Sequence, residues 1–274
     1  MKIGLLYNPF SDTCVRFSEA ATTWLRAHGH DTWRAASHIG REDDTLECVD
    51  LVVTAGGDGT VLRAVRLAER CGIPILPVAL GRLNFMAELE PDTFYDGITT
   101  VLDGGGWRDE RTMIEGVVNH VDGSKPMHFL ALNEIVIARR DINRIINVDV
   151  NIYDAHLTTY HADGVMVATA TGSTAYALSS GGPILDPRSS NMVMVPVAAH
   201  MPSINSFVLH DDATVQLTLR GRHSAAVHAD GDDHHPLQEG DVLTIKRSQR
   251  TCAFARVYSP STFYARMTQR LRRG

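Results

Sequence analysis

The stretch TAGGDGT, residues 54–60, lies between an apolar run and a segment with helical spacing. The preceding run, Leu51–Thr54, is aliphatic and β-branched and predicts a buried strand. The following segment, Val61–Arg70, repeats apolar residues three and four positions apart, which predicts a helix. The sequence therefore predicts a strand, a glycine-rich turn that carries Asp58, and a helix.

The first hundred residues continue this alternation. Ile3–Leu6 and Ile73–Ala79 predict further strands, and Val15–His28 predicts a helix that ends at Gly29. Strands separated by helices favour parallel strands joined by right-handed crossovers. We therefore expect a doubly wound α/β sheet, whose ligands would bind outside the carboxyl ends of the strands.

The composition shifts after LDGGGW, residues 102–107, because the later apolar runs are strand-like and closely spaced. They predict an all-β domain, either a sandwich or a related layered sheet. Helical spacing returns after Val257. We predict an N-terminal α/β domain of residues 1–104, a β-rich domain of residues 105–257, and a C-terminal segment of residues 258–274. The strand-like runs are Met113–Val118, Phe129–Ile137, Ile146–Ile152, Gly164–Thr169, Met192–Val197, Ala213–Leu219 and Val242–Lys246.

Net charge, cysteine spacing and the lengths of the apolar runs indicate which partners and which cellular location to expect. The 274 residues carry a formal charge of −6, whereas a nucleic-acid-binding surface needs a net basic face, so we expect no nucleic-acid partner. The four cysteines stand singly, as in proteins whose thiols stay reduced, which favours the cytoplasm. The N-terminal apolar run is too short for a signal peptide, and no window offers 18 apolar residues, so we expect no membrane partner.

Asp58 suggests that the glycine-rich turn has a catalytic or ligand-binding role. Such a turn offers backbone N–H groups and the positive end of a helix dipole, and both favour phosphate. A carboxylate repels an anion, so Asp58 suits a proton acceptor for a substrate hydroxyl or a ligand of a divalent cation. The simpler alternative is an Asp-Gly pair selected for its backbone torsions. Neither the GxGxxG fingerprint nor a P-loop is present.

A second candidate site is HADGVMVATATGSTAYALSSGGPILDP, residues 161–187. Its density of hydroxyl side chains and glycines favours the lining of a polar cavity over a core, and a solvated loop is the alternative. Asp163 and Gly164 repeat the pairing of Asp58 and Gly59. Asn133 and Glu134, at the start of another apolar run, place an amide beside an acid.

The histidines of GDDHHP, residues 231–236, suggest a metal site only weakly. His234 and His235 are adjacent and project differently, and no third ligand is spaced nearby. We therefore predict a polar turn and assign no metal-ligating residue.

Four motifs together resemble the NAD kinase family, in its order and spacing: GGDGT at 56–60, NE at 133–134, DGVMVATATGSTAYALSSGGPI at 163–184, and DG at 230–231. GGDG is shared with diacylglycerol and sphingosine kinases and with phosphofructokinases, whereas TGSTAY is more selective. The resemblance implies an α/β domain, a β domain, and a C-terminal segment, residues 258–274, that packs back on the first domain. It also implies a homodimer or homotetramer.

The resemblance further implies roles for individual residues. Asp58 matches the catalytic base, which takes the proton from the adenosine 2′-hydroxyl of NAD while the terminal phosphoryl group of ATP, or of polyphosphate, is transferred. Asn133 and Glu134 match the pair at the adenosine part, and Asp163 matches the carboxylate at the nicotinamide side. Mg²⁺ is expected to arrive with ATP. The other implied binding residues are Gly56, Gly57, Gly59, Thr60, Arg63, Arg144, His161, Thr174, Ala175, Tyr176, Ala177, Leu178, Ser179 and Asp232.

The chain departs from the family pattern at Asn84 and Ala170, and two other functions are also compatible with the sequence. Asn84 stands where the family has a glycine, and Ala170 where a proline is common. Asn adopts positive φ more readily than most residues, so the turn need not break. The rival functions are a kinase of another hydroxyl substrate, such as a lipid, and a non-catalytic NAD(P)-binding sensor.

Overall fold

A computed structural model describes residues 1–37, 49–81, 84–141, 143–200 and 205–273, with the backbone alone at 233, 234 and 268–273. The chain divides into two units. The first comprises Met1–Glu110 with Thr251–Gly274, and the second comprises Arg111–Arg250. The sequence placed the divisions at 104/105 and 257/258. The strands Trp107–Asn119 and Val242–Arg256 run across the observed boundaries, so neither boundary lies in a loop.

The first unit contains a parallel sheet of strand order β2-β1-β3-β4, as predicted. Its strands are β1 (Lys2–Tyr7), β2 (Asp31–Ala36), β3 (Leu51–Gly56) and β4 (Ile75–Ala79). Its helices are α1 (Asp12–Ala27), α2 (Asp58–Ala68) and α3 (Phe94–Leu102). Tyr7 and Ala79 flank the end of β3, so the carboxyl ends of three strands share one edge.

The core of the first unit forms between this sheet and its helices. Leu5, Val53 and Leu76 of the sheet are buried with Leu25 of α1 and Phe94 of α3. Each of these side chains is at most 1% exposed. Burial of an aliphatic or aromatic side chain contributes about 1.5–3 kcal/mol, so this layer positions the strand edge from which the glycine-rich turn departs.

The second unit is antiparallel and layered, which confirms the β-rich prediction. One sheet has the strand order β12-β11-β10-β7-β14-β15. In the other layer β8 pairs with β9 and β13, β13 pairs with β16, and β5 pairs with β6 and β16. The strands are β5 (Trp107–Asn119), β6 (Met127–Ala131), β7 (Glu134–Arg139), β8 (Ile146–Ile152), β9 (Ala155–Ala162), β10 (Gly164–Ala168), β11 (Met192–Val197), β12 (Phe207–Leu209), β13 (Val215–Arg220), β14 (Ala225–Ala229), β15 (Asp232–Leu237) and β16 (Val242–Arg256), with the short helix α4 (Tyr176–Ser179).

Both layers contribute to one core. Ile135 and Val167 from the six-stranded sheet are fully buried in the same cluster as Val148 and Leu217 from the other layer. The alternation of buried and partly exposed residues along β8 and β13 directs one face of each strand into this core.

The C-terminal segment returns to the first unit, as expected. Phe254, near the end of β16, pairs in parallel with Ile75 of β4. The last helix, α5 (Thr262–Arg273), follows. Arg266 Nη1 donates a hydrogen bond to Glu88 O at 2.9 Å, and its guanidinium lies 4.7 Å from the centroid of the Tyr258 ring. Backbone pairing and a cationic side chain therefore hold this segment.

Three local predictions are wrong. The run Phe129–Ile137 is two strands, β6 and β7, rather than one. The strand predicted over Val242–Lys246 continues to Arg256, because its polar middle still pairs within the sheet. The predicted polar turn at 231–236 is mostly the strand β15; the side chain of His234 lies outside the described part. Within the described residues, no helix is long and apolar enough to cross a bilayer.

Candidate functional site

The glycine-rich turn lies where β3 meets α2. Gly56 ends β3, Gly57 is the N-cap residue of α2, and Asp58 is the first residue of the helix. A Cβ on Gly56 would lie 2.3 Å from Thr60 Oγ1, so a larger residue there would displace Thr60. Gly59 has no neighbouring atom within 4 Å of an added Cβ. The sequence predicted Asp58 in a turn before a helix that begins at Val61, whereas α2 already begins at Asp58.

Two backbone groups hold the Asp58 carboxylate. Phe85 N donates to Oδ2 at 3.0 Å, and Met86 N donates to Oδ1 at 3.2 Å. On the other side of the same residue, Met86 O accepts a hydrogen bond from Arg256 Nη1 at 2.9 Å. The orientation of Asp58 is therefore coupled to a buried arginine of the C-terminal segment.

Asn84, the departure from the family glycine, lies beside this turn. Its side chain is buried and donates from Nδ2 to Gly81 O at 3.4 Å. Its Oδ1 has no hydrogen-bond partner among the described residues and would lie 3.7 Å from a Cβ on Gly57. A buried oxygen without a partner is unfavourable, so this atom is suited to a donor or a cation supplied by a ligand.

The other candidate residues of the turn are part of α2. Thr60 is buried, and its backbone N–H donates to Gly57 O at 2.9 Å. Arg63 Nη1 donates to Ser37 O at 3.2 Å. These contacts give both residues a structural role within the unit.

In the second unit, Asp230 organises the Asn133–Glu134 pair. Its carboxylate accepts three backbone hydrogen bonds: Leu132 N at 2.9 Å, Asn133 N at 2.7 Å and Glu134 N at 3.2 Å. Asp230 itself has a φ of 52°, a conformation that Asp tolerates better than most residues. Sequence reasoning included Asp232 among the binding residues and gave Asp230 no role, although it noted the Asp230-Gly231 pair. The signal was the Asp-Gly pair, which also occurs at 58–59 and 163–164.

Asn133 and Glu134 present buried polar atoms. Asn133 Oδ1 and Glu134 Oε2 have no hydrogen-bond partner within the described part of the chain. Burial, and then the nearby charge of Asp230, raise the pKa of Glu134 to about 8. Glu134 is therefore mostly protonated at neutral pH and can donate a hydrogen bond to a ligand.

The TGST turn packs directly against Asn133. Thr169 Oγ1 donates to Leu132 O at 2.5 Å, and Thr169 N donates to Asn133 O at 2.8 Å. A Cβ on Gly172 would lie 2.1 Å from Asn133 O, a backbone atom that cannot move aside cheaply. Gly172 is therefore required for this approach, and the structure brings the NE and TGST motifs together. Arg111 Nη1 donates to Thr171 Oγ1 at 3.2 Å, a contact that sequence reasoning missed.

The remaining residues of this stretch differ in exposure. Thr174 is buried and donates from Oγ1 to Thr171 O at 3.1 Å. Ala177 is fully buried in a cluster of core residues, so its side chain belongs to the core. Ala175 and Leu178 are partly buried, whereas Tyr176 and Ser179 are exposed.

Four further candidates lie away from the Asn133–Glu134 pair or on the surface. Asp163 pairs with Arg139 at 2.9 Å, at the end of β7 and β10 opposite to Glu134, which is roughly 17 Å along the strand. His161 is exposed on β9, and its Nδ1 lies 2.6 Å from an Asn147 oxygen. The structure places Arg144 and Asp232 at exposed positions, before β8 and at the start of β15.

The raised pKa of Glu134 predicts a pH effect on stability. In the unfolded chain its pKa returns to about 4.3, so between about pH 4.5 and 8 the folded state holds one more proton. This contribution is complete below the unfolded pKa and is lost as pH rises toward 8, by up to about 1.4 kcal/mol per pH unit. Glu134→Gln, which mimics the protonated acid, should flatten this slope in urea unfolding measured from pH 5 to 8.5.

The exposed Glu239 offers the matched control for that measurement. Glu239→Gln should retain the wild-type slope. If Glu134→Gln and wild type lose stability in parallel as pH rises, Glu134 is ionised in the folded protein and cannot act as the donor.

Comparison with known proteins identifies relatives over the whole chain. Residues 19–106 match the family model of the ATP-NAD kinase N-terminal domain, and residues 132–257 match that of the C-terminal domain. An NAD kinase of Chloroflexus aggregans is 50% identical over 274 residues, covering 99% of both chains. An NAD kinase of Dehalococcoides mccartyi is 35% identical over 272 residues, covering 99% of this chain and 96% of its own.

Solved structures share the fold. Yeast NADH kinase, crystallised with NADH, superposes with a TM-score of 0.89 at 21% identity, covering 99% of this chain and 87% of its own. An NAD kinase from Archaeoglobus fulgidus, crystallised with ATP, has a TM-score of 0.81 at 23% identity over 100% of both chains.

Proposed function

Because the chain belongs to the NAD kinase family and its reaction is the phosphorylation of NAD, we propose that Asp58 is the general base of that reaction. In this proposal the carboxylate takes the proton of the adenosine 2′-hydroxyl as the oxygen bonds to the terminal phosphorus of ATP, and ADP leaves. The observation that carries it is the carboxylate at the start of α2, held by Phe85 N and Met86 N.

Phosphoryl transfer depends mainly on alignment and on charge stabilisation. Two backbone bonds restrict the Asp58 carboxylate, which supports its alignment with a substrate hydroxyl. The first N–H groups of α2 favour a phosphate nearby through the helix dipole. A base beside a phosphate-binding helix end is the arrangement that the reaction needs.

Mg²⁺ enters this proposal with ATP. The Asp58 carboxylate and Asn84 Oδ1, which has no hydrogen-bond partner among the residues described, are oxygen atoms of the kind that Mg²⁺ binds, so the residues at the turn fit this ion. Bound Mg²⁺ would neutralise phosphate charge, with the phosphates and water as its main ligands. Asn84 Oδ1 and the Asp58 carboxylate would be the protein groups that hold the ion.

Asn133 and Glu134 are proposed to bind the adenosine part of NAD. Their buried oxygens lack partners among the described residues, and the hydroxyl and amino groups of a nucleoside would supply donors and acceptors. A protonated Glu134 adds a donor that an ionised carboxylate lacks. Asp230 is proposed as the residue that positions this pair through its three backbone bonds.

Activity is tested by incubating the full chain with NAD, ATP and Mg²⁺ and separating the products by chromatography. We expect NADP and ADP in equal amounts. Parallel reactions with NADH or with polyphosphate determine the preferred acceptor and donor. Binding of NAD in calorimetry without any NADP formation would contradict a catalytic role.

We also propose a cytoplasmic location and a homo-oligomeric assembly. Cys14, Cys71 and Cys252 are free thiols, as in a cytoplasmic protein.

The family resemblance suggests a homodimer or homotetramer, and the edge strand β12 carries the exposed Val208. Sedimentation velocity of the purified chain would measure the subunit number.

A further inference from the structure

Three side chains of the second unit, to which the proposed reaction assigns no role, form a chain of polar contacts. His120 follows β5, His235 lies in β15, and Asp241 precedes β16. The Nε2 atoms of His120 and His235 are 3.1 Å apart. His120 Nδ1 lies 2.9 Å from Asp241 Oδ2. The histidines are 115 positions apart in the sequence, so residue spacing could not reveal this pair.

Asp241 fixes the ring of His120. Its side chain is 1% exposed and also accepts hydrogen bonds from Val121 N at 2.9 Å and Gln238 N at 3.0 Å. Both oxygens of this carboxylate accept backbone N–H bonds, so the remaining contact is best made by a donor, and Nδ1 of His120 carries a proton. In the neutral ring, Nε2 therefore carries the lone pair that faces His235.

The separation of the two Nε2 atoms suits a shared metal ion. Two nitrogens bound to Zn²⁺ at about 2.0–2.1 Å lie about 2.9 Å apart at a right angle and about 3.4 Å apart at the tetrahedral angle. The observed 3.1 Å falls between these values. A carboxylate that accepts from the second ring nitrogen is the usual support of a metal-binding histidine.

We propose that His120 and His235 bind a divalent transition metal ion, with Asp241 as the residue that orients His120. Imidazole ligands favour Zn²⁺, Ni²⁺ or Cu²⁺ over Mg²⁺. The described residues contain no group of three or more His, Cys, Asp or Glu arranged for a metal, so water completes the coordination. Both residues are partly exposed, and 11% of the His120 side chain is in contact with solvent.

The proposed ion would connect β15 to the end of β5. β15 pairs with β14, and the turn between them contains Asp230, which holds the backbone of residues 132–134. Metal binding should therefore stabilise the strand pair that supports the nucleoside-binding residues. Because the ion binds the folded state, zinc at about 100 times its Kd should raise the Tm by several degrees.

The test is a calorimetric titration of tag-free, EDTA-treated full chain with ZnCl₂. We expect one zinc ion per chain for wild type. His120→Gln and His235→Gln should both abolish this binding step, and Asp241→Asn should weaken it by about 10–100-fold. The control His156→Gln removes an exposed histidine of β9 and should bind zinc as wild type does.

A measurement on the wild-type protein does not depend on the folding of variants. Long-range ¹H–¹⁵N spectra should show zinc-dependent shifts of the Nε2 atoms of two histidines, with the His120 Nδ1 proton retained. The proposal is overturned if zinc shifts no Nε2 resonance, or if the His120 and His235 variants keep the wild-type stoichiometry. In either case the rings form only a hydrogen bond.

Discussion

Asp58→Asn should lower kcat by at least ~10²-fold, because the amide cannot accept the proton that a general base removes. The substitution is nearly isosteric, and the amide oxygen can still accept one of the backbone bonds from Phe85 and Met86. The Kd for NAD should therefore stay close to the wild-type value. Initial rates of NADP formation and calorimetric titration with NAD measure the two quantities separately.

The matched control is Asp12→Asn. Asp12 is the first residue of α1 as Asp58 is of α2, and it is exposed, so this variant loses the same favourable interaction with a helix dipole. It should retain the wild-type kcat. Undiminished turnover in Asp58→Asn would remove Asp58 from the role of base, even if the chain still phosphorylates NAD.

Arg256→Met should destabilise the first unit by about 3–5 kcal/mol. Arg256 is 6% exposed and lies between two buried acids: Nε donates to Asp109 Oδ2 at 3.1 Å, and Nη1 is 3.3 Å from Glu88 Oε2. Methionine fills much of the volume but removes the positive charge that faces both carboxylates. The midpoint of urea unfolding, followed by circular dichroism, measures the loss.

The control for this prediction is Arg108→Met. Arg108 pairs with Glu110, but both side chains are nearly half exposed, so water screens the pair. Such pairs contribute about 0–1 kcal/mol. If Arg256→Met unfolds within about 1 kcal/mol of Arg108→Met, the buried network adds no more than a surface ion pair.

The elements with strong local signals were predicted from the sequence. The run before GGDGT is buried and β-branched, and the strand β3 and helix α2 lie where this pattern indicates. The predictions over Ile146–Ile152 and Met192–Val197 coincide with β8 and β11. In each case the apolar residues needed for burial are close together in the chain.

Elements that depend on distant neighbours were missed. β2, DTWRAA, and β14, AAVHA, have little apolar alternation, and their pairing with β1 and β7 gives them strand geometry. α3 contains Gly97, which weakens a helical pattern. An added Cβ there would lie 2.6 Å from Leu89 Cδ2, so the glycine is needed for packing that the local sequence does not reveal.

In the candidate site, too, some residues could be identified from the local sequence and others only from the fold. The residue types and the resemblance identified Asp58, Asn133 and Glu134 before the structure was known. The contacts of Asp230 with residues 132–134 and of Arg256 with Met86 join segments roughly 100 and 170 positions apart. No local periodicity encodes such distances, so these supporting residues required the fold.

The two backbone groups of Met86 link the Asp58 carboxylate to a residue that is translated much later. The Met86 N–H donates to Asp58, while the Met86 carbonyl accepts from Arg256, which the ribosome adds 170 residues later. A nascent chain can complete β3, the glycines and α2 long before that arginine leaves the exit tunnel. Truncation before Arg256 would therefore leave the glycine-rich motif intact but the Asp58 carboxylate without this anchor.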